Sequence, residues 1–258
     1  MNRKKWPAKP IQFSLILTGL FLGGLGILKP LVTPVIASVI SVNPSAFRLA
    51  LNLRLPPNGA PGRRRDGGTR DGSCSSNEEV IALVPGTNLG LTVDERPTFW
   101  FYIPYESGKL EAEFWLKDRD GNETYQQIIP LKNTPGIVRV SLPETVSPLE
   151  VEQLYRWGFS AICNPNNRLD DAFVWGGIER VPMSSDLESQ LTDRNEPERI
   201  ALYAEHGLWF DVLTTLAELR SAHSGDESLN EDWVDLLQQV DLEEISNKPL
   251  VECCTSEE

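Results

Sequence analysis

Residues 98–103 read Thr98-Phe99-Trp100-Phe101-Tyr102-Ile103, a six-residue run that is apolar on both faces and suits a strand buried at the centre of a sheet. A second stretch, Gln153–Cys163, places Tyr155, Trp157, Phe159, Ala161 and Cys163 on one side at period two, the signature of a strand with one face turned to a core. Between and around these two lie shorter strand signals separated by turns. Val80–Val84 and Leu89–Val93 precede the first. Leu110–Lys117 alternates, with Ala112, Phe114 and Leu116 on one side. Glu123–Ile129 returns after a turn at Asp118-Arg119-Asp120-Gly121-Asn122, and Ile137–Leu142 and Phe173–Val181 complete the set. Eight short strands without an intervening helix predict an antiparallel β-sandwich over residues 74–183. Leu149 stands six residues before Tyr155, a corner of the kind that ties a strand to its preceding turn in immunoglobulin-like and fibronectin-like sandwiches. A jelly roll fits the strand count nearly as well.

The pattern changes after Met183. Leu187–Leu191 predicts a short helical turn. Asn195, with Pro197 in the first turn, caps a helix whose apolar side holds Ile200, Tyr203 and Ala204 and which Gly207 ends. Trp209, Val212, Leu213, Leu216 and Leu219 give an amphipathic helix, and Trp233, Leu236, Leu237 and Val240 another. About three helices are therefore expected over residues 184–245, the first pair resembling a tetratricopeptide-type hairpin. Such short helices must be covered, by the sandwich or by a partner. Trp209 and Trp233 are the candidate interaction surface on this extension. Residues 246–258 are expected to be a disordered tail.

Before the strands, residues 38–73 read as a spacer and linker, the moderately apolar 39–55 fitting a spacer or a strand. Gly, Pro and Arg dominate residues 56–73, which offer nothing for a core, and Arg63, Arg64, Arg65 and Arg70 read as solvated linker charge, with contact to an anionic lipid or polymer as the alternative. Residues 1–37 differ again. Arg3, Lys4 and Lys5 precede an apolar stretch from Ile11 to Leu28, and Val35-Ile36-Ala37 offers small residues before a cleavage at Ser38. A cleaved signal peptide and an uncleaved membrane anchor both fit, and both place the rest of the chain outside the cytoplasm. Membrane contact is expected only through residues 1–37.

Charge supports the same division. The chain carries 24 Lys and Arg against 37 Asp and Glu, a formal net charge of −13, and residues 184–258 hold 19 of those acids. Such a balance repels phosphate backbones and argues against nucleic acid as a partner. Export makes the four cysteines candidates for bridges. Cys74–Cys163 is the natural pair, with two free buried thiols as the alternative. Cys253 and Cys254 are adjacent, and the strain of an eight-membered ring argues against a bridge between them.

No constellation of catalytic or metal-binding residues stands out. His206 and His223 fall at helix ends, where a cation favours the dipole. Zinc spacings, a nucleophile elbow and a phosphate loop are missing from the sequence. Asp118–Glu123 has alternating oxygens and a Gly, but Ile129 stands where a calcium loop needs its last acid, so a hairpin turn is expected. Glu111 with Glu113, and Asp170 with Asp171, are carboxylate pairs of the sort any acidic chain offers.

Ala82-Leu83-Val84-Pro85, Arg96-Pro97-Thr98-Phe99-Trp100-Phe101-Tyr102-Ile103-Pro104-Tyr105, and Tyr155-Arg156-Trp157 leading to Ile162-Cys163 resemble the uncharacterised cyanobacterial family known as domain of unknown function 928. The Gly/Arg segment before Cys74 and the Trp-rich helical tail are similar to it too, so the resemblance spans roughly residues 60–245. It implies a cyanobacterial envelope or exported protein and supplies no catalytic residues. The expectation is a non-enzymatic interaction module, with no cofactor, whose partner is a protein or an envelope polymer; the alternative is a hydrolase acting on envelope glycan or peptide.

Overall fold

The computed structural model describes residues 49, 51–66, 74, 76–108 and 110–254. The signal or anchor segment over 1–37, the cleavage before Ser38 and the spacer as far as residue 48 lie outside the described residues.

Eight strands form: β1 (Ile81–Ala82), β2 (Leu89–Thr92), β3 (Thr98–Ile103), β4 (Glu111–Lys117), β5 (Glu123–Pro130), β6 (Gly136–Ser141), β7 (Gln153–Ile162) and β8 (Ala172–Arg180). They make two sheets, one in the order β1-β3-β6 and one in the order β2-β8-β7-β4-β5. The period-two alternation of β4 buries Ala112, Phe114 and Leu116 and leaves Glu113, Trp115 and Lys117 on the other side. Aromatic rings join the sheets. Phe101 of β3 stacks on Phe159 of β7 at 4.2 Å, and Phe99 lies 4.9 Å from Phe114 of β4. The two-faced apolarity of β3 has a direct cause. Phe99, Phe101 and Ile103 fill the space between the sheets, while Trp100 and Tyr102 point the other way and are covered as well.

One pairing corrects the all-antiparallel expectation: β2 runs parallel to β8, with Leu89 opposite Gly177. No hairpin links these strands, so nothing local imposes an antiparallel register on them. The corner before β7 does form. Leu149 is buried, and the Tyr155 hydroxyl accepts the Glu150 N–H at 3.1 Å.

Four helices follow, one more than the expected three: α1 (Ser185–Leu191), α2 (Glu196–Glu205), α3 (Trp209–Ala222) and α4 (Glu227–Gln238). The extra one is the turn at Leu187, lengthened because Ser184 caps it by accepting the Leu187 N–H. Asn195 and Glu198 close a full capping box on α2. Gly207 ends that helix at φ 70°, where a β-carbon would also meet the Arg54 carbonyl oxygen at 2.1 Å. The helical layer packs on β2 and β3, one strand from each sheet, and ties to the three-stranded one: Trp100 Nε1 donates to Thr214 Oγ1 at 3.0 Å, and Arg139 on β6 pairs with Glu218 on α3 at 3.6 Å.

Two boundaries need correction. Residues 51–66 are packed chain, not free linker. Leu51, Leu53 and Leu55 pack on the core, Arg63 bridges to Trp175 and Arg65 to Ile81, and Arg64 donates to the Val240 carbonyl at 2.6 Å. Backbone pairing with a sheet edge asks nothing of side-chain polarity, so composition misjudged the segment. Residues 249–251 likewise add to the edge of β6, with Ile137 N–H donating to Pro249 O at 2.7 Å and Val251 N–H to Ile137 O at 2.9 Å, where a disordered tail was expected.

The cysteines give one agreement and one correction. Cys74 and Cys163 are bridged, with α-carbons 5.2 Å apart. Cys253 and Cys254 are bridged too, against expectation. Cys254 adopts φ 70°, in the left-handed region, and this turn accommodates the ring.

Candidate functional site

Trp209 and Trp233, the candidate interaction surface, are both 0% exposed. Trp209 donates its indole N–H to Leu83 O, and its neighbour Phe210 packs edge-on against Phe99 at 5.2 Å. Trp233 lies under the Arg220 guanidinium, 5.4 Å from its ring. These indoles hold the helical layer together and present nothing to a partner. Their helical spacing identified a covered face correctly but not what covers it.

The other sequence candidates are also accounted for. His206 and His223 bond through Nδ1 to the carbonyls of Leu202 and Leu219, closing helix ends. Asp118 accepts the Asn122 side-chain amide N–H at 2.8 Å, which is the main hold on its carboxyl below the usual range, and the Asn122 backbone N–H at 2.8 Å adds to it. The segment is the hairpin turn between β4 and β5. Glu113 and Asp171 both receive Arg168, while Asp171 also accepts the Cys163 N–H. Among the described residues no group of three or more His, Cys, Asp or Glu side chains is placed to hold a metal ion.

The helical layer packs on β2 and β3, one strand from each sheet, and reaches Trp100 on the outer side of the three-stranded sheet. The outer side of the five-stranded sheet carries a different surface. Pairing in register sets Gln126, Trp115, Gly158 and Trp175 in one row across β5, β4, β7 and β8. Ile128, Glu113, Ser160 and Phe173 form the next row. Trp115 lies flat on Gly158: a β-carbon there would stand 2.4 Å from two indole carbons. Phe173 continues the strip, its ring 6.3 Å from that of Trp115 and within 27° of parallel. Trp115, Phe173 and Trp175 are half-buried, and Ile128 is 47% exposed. Next along β4 from Trp115 stands Lys117, whose ammonium lies over the Trp115 ring, 5.0 Å from its centroid, and opposite it Arg156, its register partner on β7. The sheet ends at β5, whose outer edge is unpaired by any described strand. An aromatic strip with a polar rim on a sheet face is a candidate binding surface.

Sequence reasoning missed this strip, though a signal for it was present. The alternation of Leu110–Lys117 puts Trp115 on the side opposite Ala112, Phe114 and Leu116, where a polar residue is the ordinary occupant.

A second feature is a cleft of about 400 Å³ between the end of β2 and α2–α3, lined by residues including Thr92, Asp94, Arg199, Tyr203 and Asp211. Asp211 sits in the first turn of α3 and accepts the Val93 N–H at 3.2 Å. Burial pushes its carboxyl up to about 7, outweighing the hydrogen bonds from Thr92 and Val93 that favour the charged form.

A family profile described as Domain of Unknown Function (DUF928) matches residues 65–250. The chain belongs to the DUF928 family. The match takes in both sheets and all four helices, so the helical layer is part of the DUF928 domain. No curated protein matches the chain. Among solved structures, entomopoxvirus fusolin, described in connection with enhanced virulence and crystallisation into viral spindles, is similar over 43% of this chain and 43% of its own, at 9% identity and a TM-score of 0.28. Its zinc complex gives 8% identity and 0.26 over the same shares. The chain thus spans less than half the length of fusolin. Among the described residues no helix is long and apolar enough to cross a membrane.

Proposed function

We infer that this DUF928 protein is exported to the cell envelope, in a cyanobacterium as the family resemblance implies, and acts there as a non-enzymatic binding module. The observation that carries the reading is the aromatic strip of Trp115 and Phe173 on the uncovered side of the five-stranded sheet. A domain that packs its own helices on β2 and β3 and leaves a rigid aromatic strip on the outer side of the five-stranded sheet is suited to hold a ligand. Compartment is supported by the basic and apolar pattern of residues 1–37 and by the Cys74–Cys163 bridge, which suits an oxidising space.

The finer fold belongs to the same reading. The orders β1-β3-β6 and β2-β8-β7-β4-β5, with the first two strands divided between the sheets, together with the Tyr155 corner, support an immunoglobulin-like sandwich. Such sandwiches serve recognition in many settings, though fold alone assigns no ligand.

A hydrolase is the second reading, and Asp211 favours it: a carboxyl near pH 7 in a cleft has the proton affinity of a general acid. Cell fractionation with N-terminal sequencing and an assay on envelope polymers tests both. The binding module predicts an envelope-associated chain, starting near Ser38 or intact as an anchored form, without hydrolysis. A soluble cytoplasmic chain beginning at Met1 rules out export. Polymer cleavage lost in Asp211→Asn replaces the binding reading with the enzymatic one.

A further inference from the structure

We propose that the outer face of the five-stranded sheet binds an acidic polysaccharide, with a sugar ring stacked on the Trp115–Phe173 strip and its anionic group between Lys117 and Arg156. The inference rests on the reading of this domain as a binding module and names its ligand.

Charge carries the first half of the argument. Lys117 and Arg156 stand directly opposite each other on β4 and β7. Like charges in that position repel, and a sheet ordinarily places an acid between them or avoids the pair. Neither makes an ion pair among the described residues, Glu123 beside Lys117 on β5 included. Arg168, by contrast, is satisfied by Glu113 and Asp171 at the other end of the strip. In a chain of net charge −13, two adjacent cations without an ion pair among the described residues, one of them lying over the Trp115 ring, form a local site for an anion beside the strip.

The ring supplies the second half. The Trp115 indole is held against Gly158, so its orientation is set before any ligand arrives, and little ordering is left to binding. A pyranose has a flat face of C–H groups and a rim of hydroxyls. Such a face matches an indole lying in the plane of the sheet, and the rim meets the exposed Gln126 and the fixed Glu113–Arg168 pair. Two strand spacings separate β4 from β8, about 9.6 Å, so Trp115 and Trp175 in the same row are spaced to meet alternate sugars of an extended chain. Cations beside aromatic rings also suit single-stranded nucleic acid. The 19 acids of residues 184–258 oppose a ligand with one phosphate per residue more strongly than a glycan with scattered acidic groups.

The test is affinity electrophoresis of the full chain through gels holding hyaluronate or xanthan, whose acidic sugars are separated by neutral ones, neutral dextran, or a single-stranded oligonucleotide. Retardation by an acidic glycan, weakened by salt and absent in dextran, is expected. Trp115→Ala should weaken it at least about fivefold, the order of one lost stacking contact. The double variant Lys117→Gln with Arg156→Gln should remove the preference for acidic over neutral glycan, with melting temperature unchanged in both variants. Stronger retardation by the oligonucleotide, equal retardation by dextran, no retardation by either acidic glycan, or wild-type behaviour in Trp115→Ala each overturns the proposal. Retention of the wild-type chain on envelope polymer freed of membrane by detergent, where an N-terminal anchor has nothing to hold, is measured alongside. If it persists in Trp115→Ala, the module reading stands and this site fails; if the wild type does not associate at all, the module reading itself fails.

Discussion

The Trp209 indole N–H donates to the Leu83 carbonyl oxygen at 2.9 Å, across 126 positions of sequence. That bond joins the first turn of α3 to the end of β1 inside a fully buried contact. Trp209→Ala should cost about 3–5 kcal/mol in urea unfolding, from the cavity and the stranded carbonyl together. Trp209→Phe should cost less, about 1–3 kcal/mol, because most of the volume remains. Equal losses in the two variants would show that the hydrogen bond, not the packing, dominates.

Removal of the Cys74–Cys163 bridge should destabilise the domain by about 2–5 kcal/mol, since it closes a loop of sequence separation 89. Non-reducing peptide mapping of the native chain should recover the linked pair. The unfolding midpoint of Cys74→Ser with Cys163→Ser, set against wild type, gives the size of the effect.

Asp211 should make stability depend on pH. Its carboxyl rises from an ordinary value of 3.8 to about 7 in the fold. Between those values the folded state binds more protons than the unfolded one, so this contribution to stability falls as pH rises through the window and is flat above it. Asp211→Asn abolishes the titration and keeps an acceptor for the Val93 N–H. The melting temperature of Asp211→Asn relative to wild type should therefore increase from pH 5 to pH 8, by a few degrees. A difference that stays constant with pH would contradict the raised value.

Tyr155→Phe removes the hydroxyl that accepts the Glu150 N–H and leaves the ring in place. The expected cost is about 0.5–1.5 kcal/mol, that of one net hydrogen bond. Circular dichroism should be unchanged while the denaturation midpoint shifts.

Much of this architecture is written locally. Thr98–Ile103 reads as a central strand because its two faces are both apolar, and β3 has precisely those bounds in the fold. Asn195, Pro197 and Gly207 mark a helix start and stop through backbone chemistry that needs no distant partner. Arg64 shows the limit. In a Gly- and Arg-rich run it reads as solvated charge, yet its guanidinium reaches Val84 O at 3.2 Å and Val240 O at 2.6 Å. Those carbonyls lie 20 and 176 positions away, and no local pattern names them.

Trp115 and Trp209 mark the same division for the candidate site. Each stands in an amphipathic element, and periodicity assigns each a side. Which side is covered depends on what the rest of the chain brings there. α3 lies against β2 and β3 and buries Trp209 completely, while no described helix covers Trp115 over Gly158. By itself the sequence determined the eight strands and the two ends of α2, and favoured the Cys74–Cys163 pair, because alternation and capping are properties of short segments. Only the tertiary structure decided the parallel β2–β8 pair, the packing of residues 51–66, and which tryptophans are core and which line an open face, because burial is fixed by contacts between residues far apart in the chain.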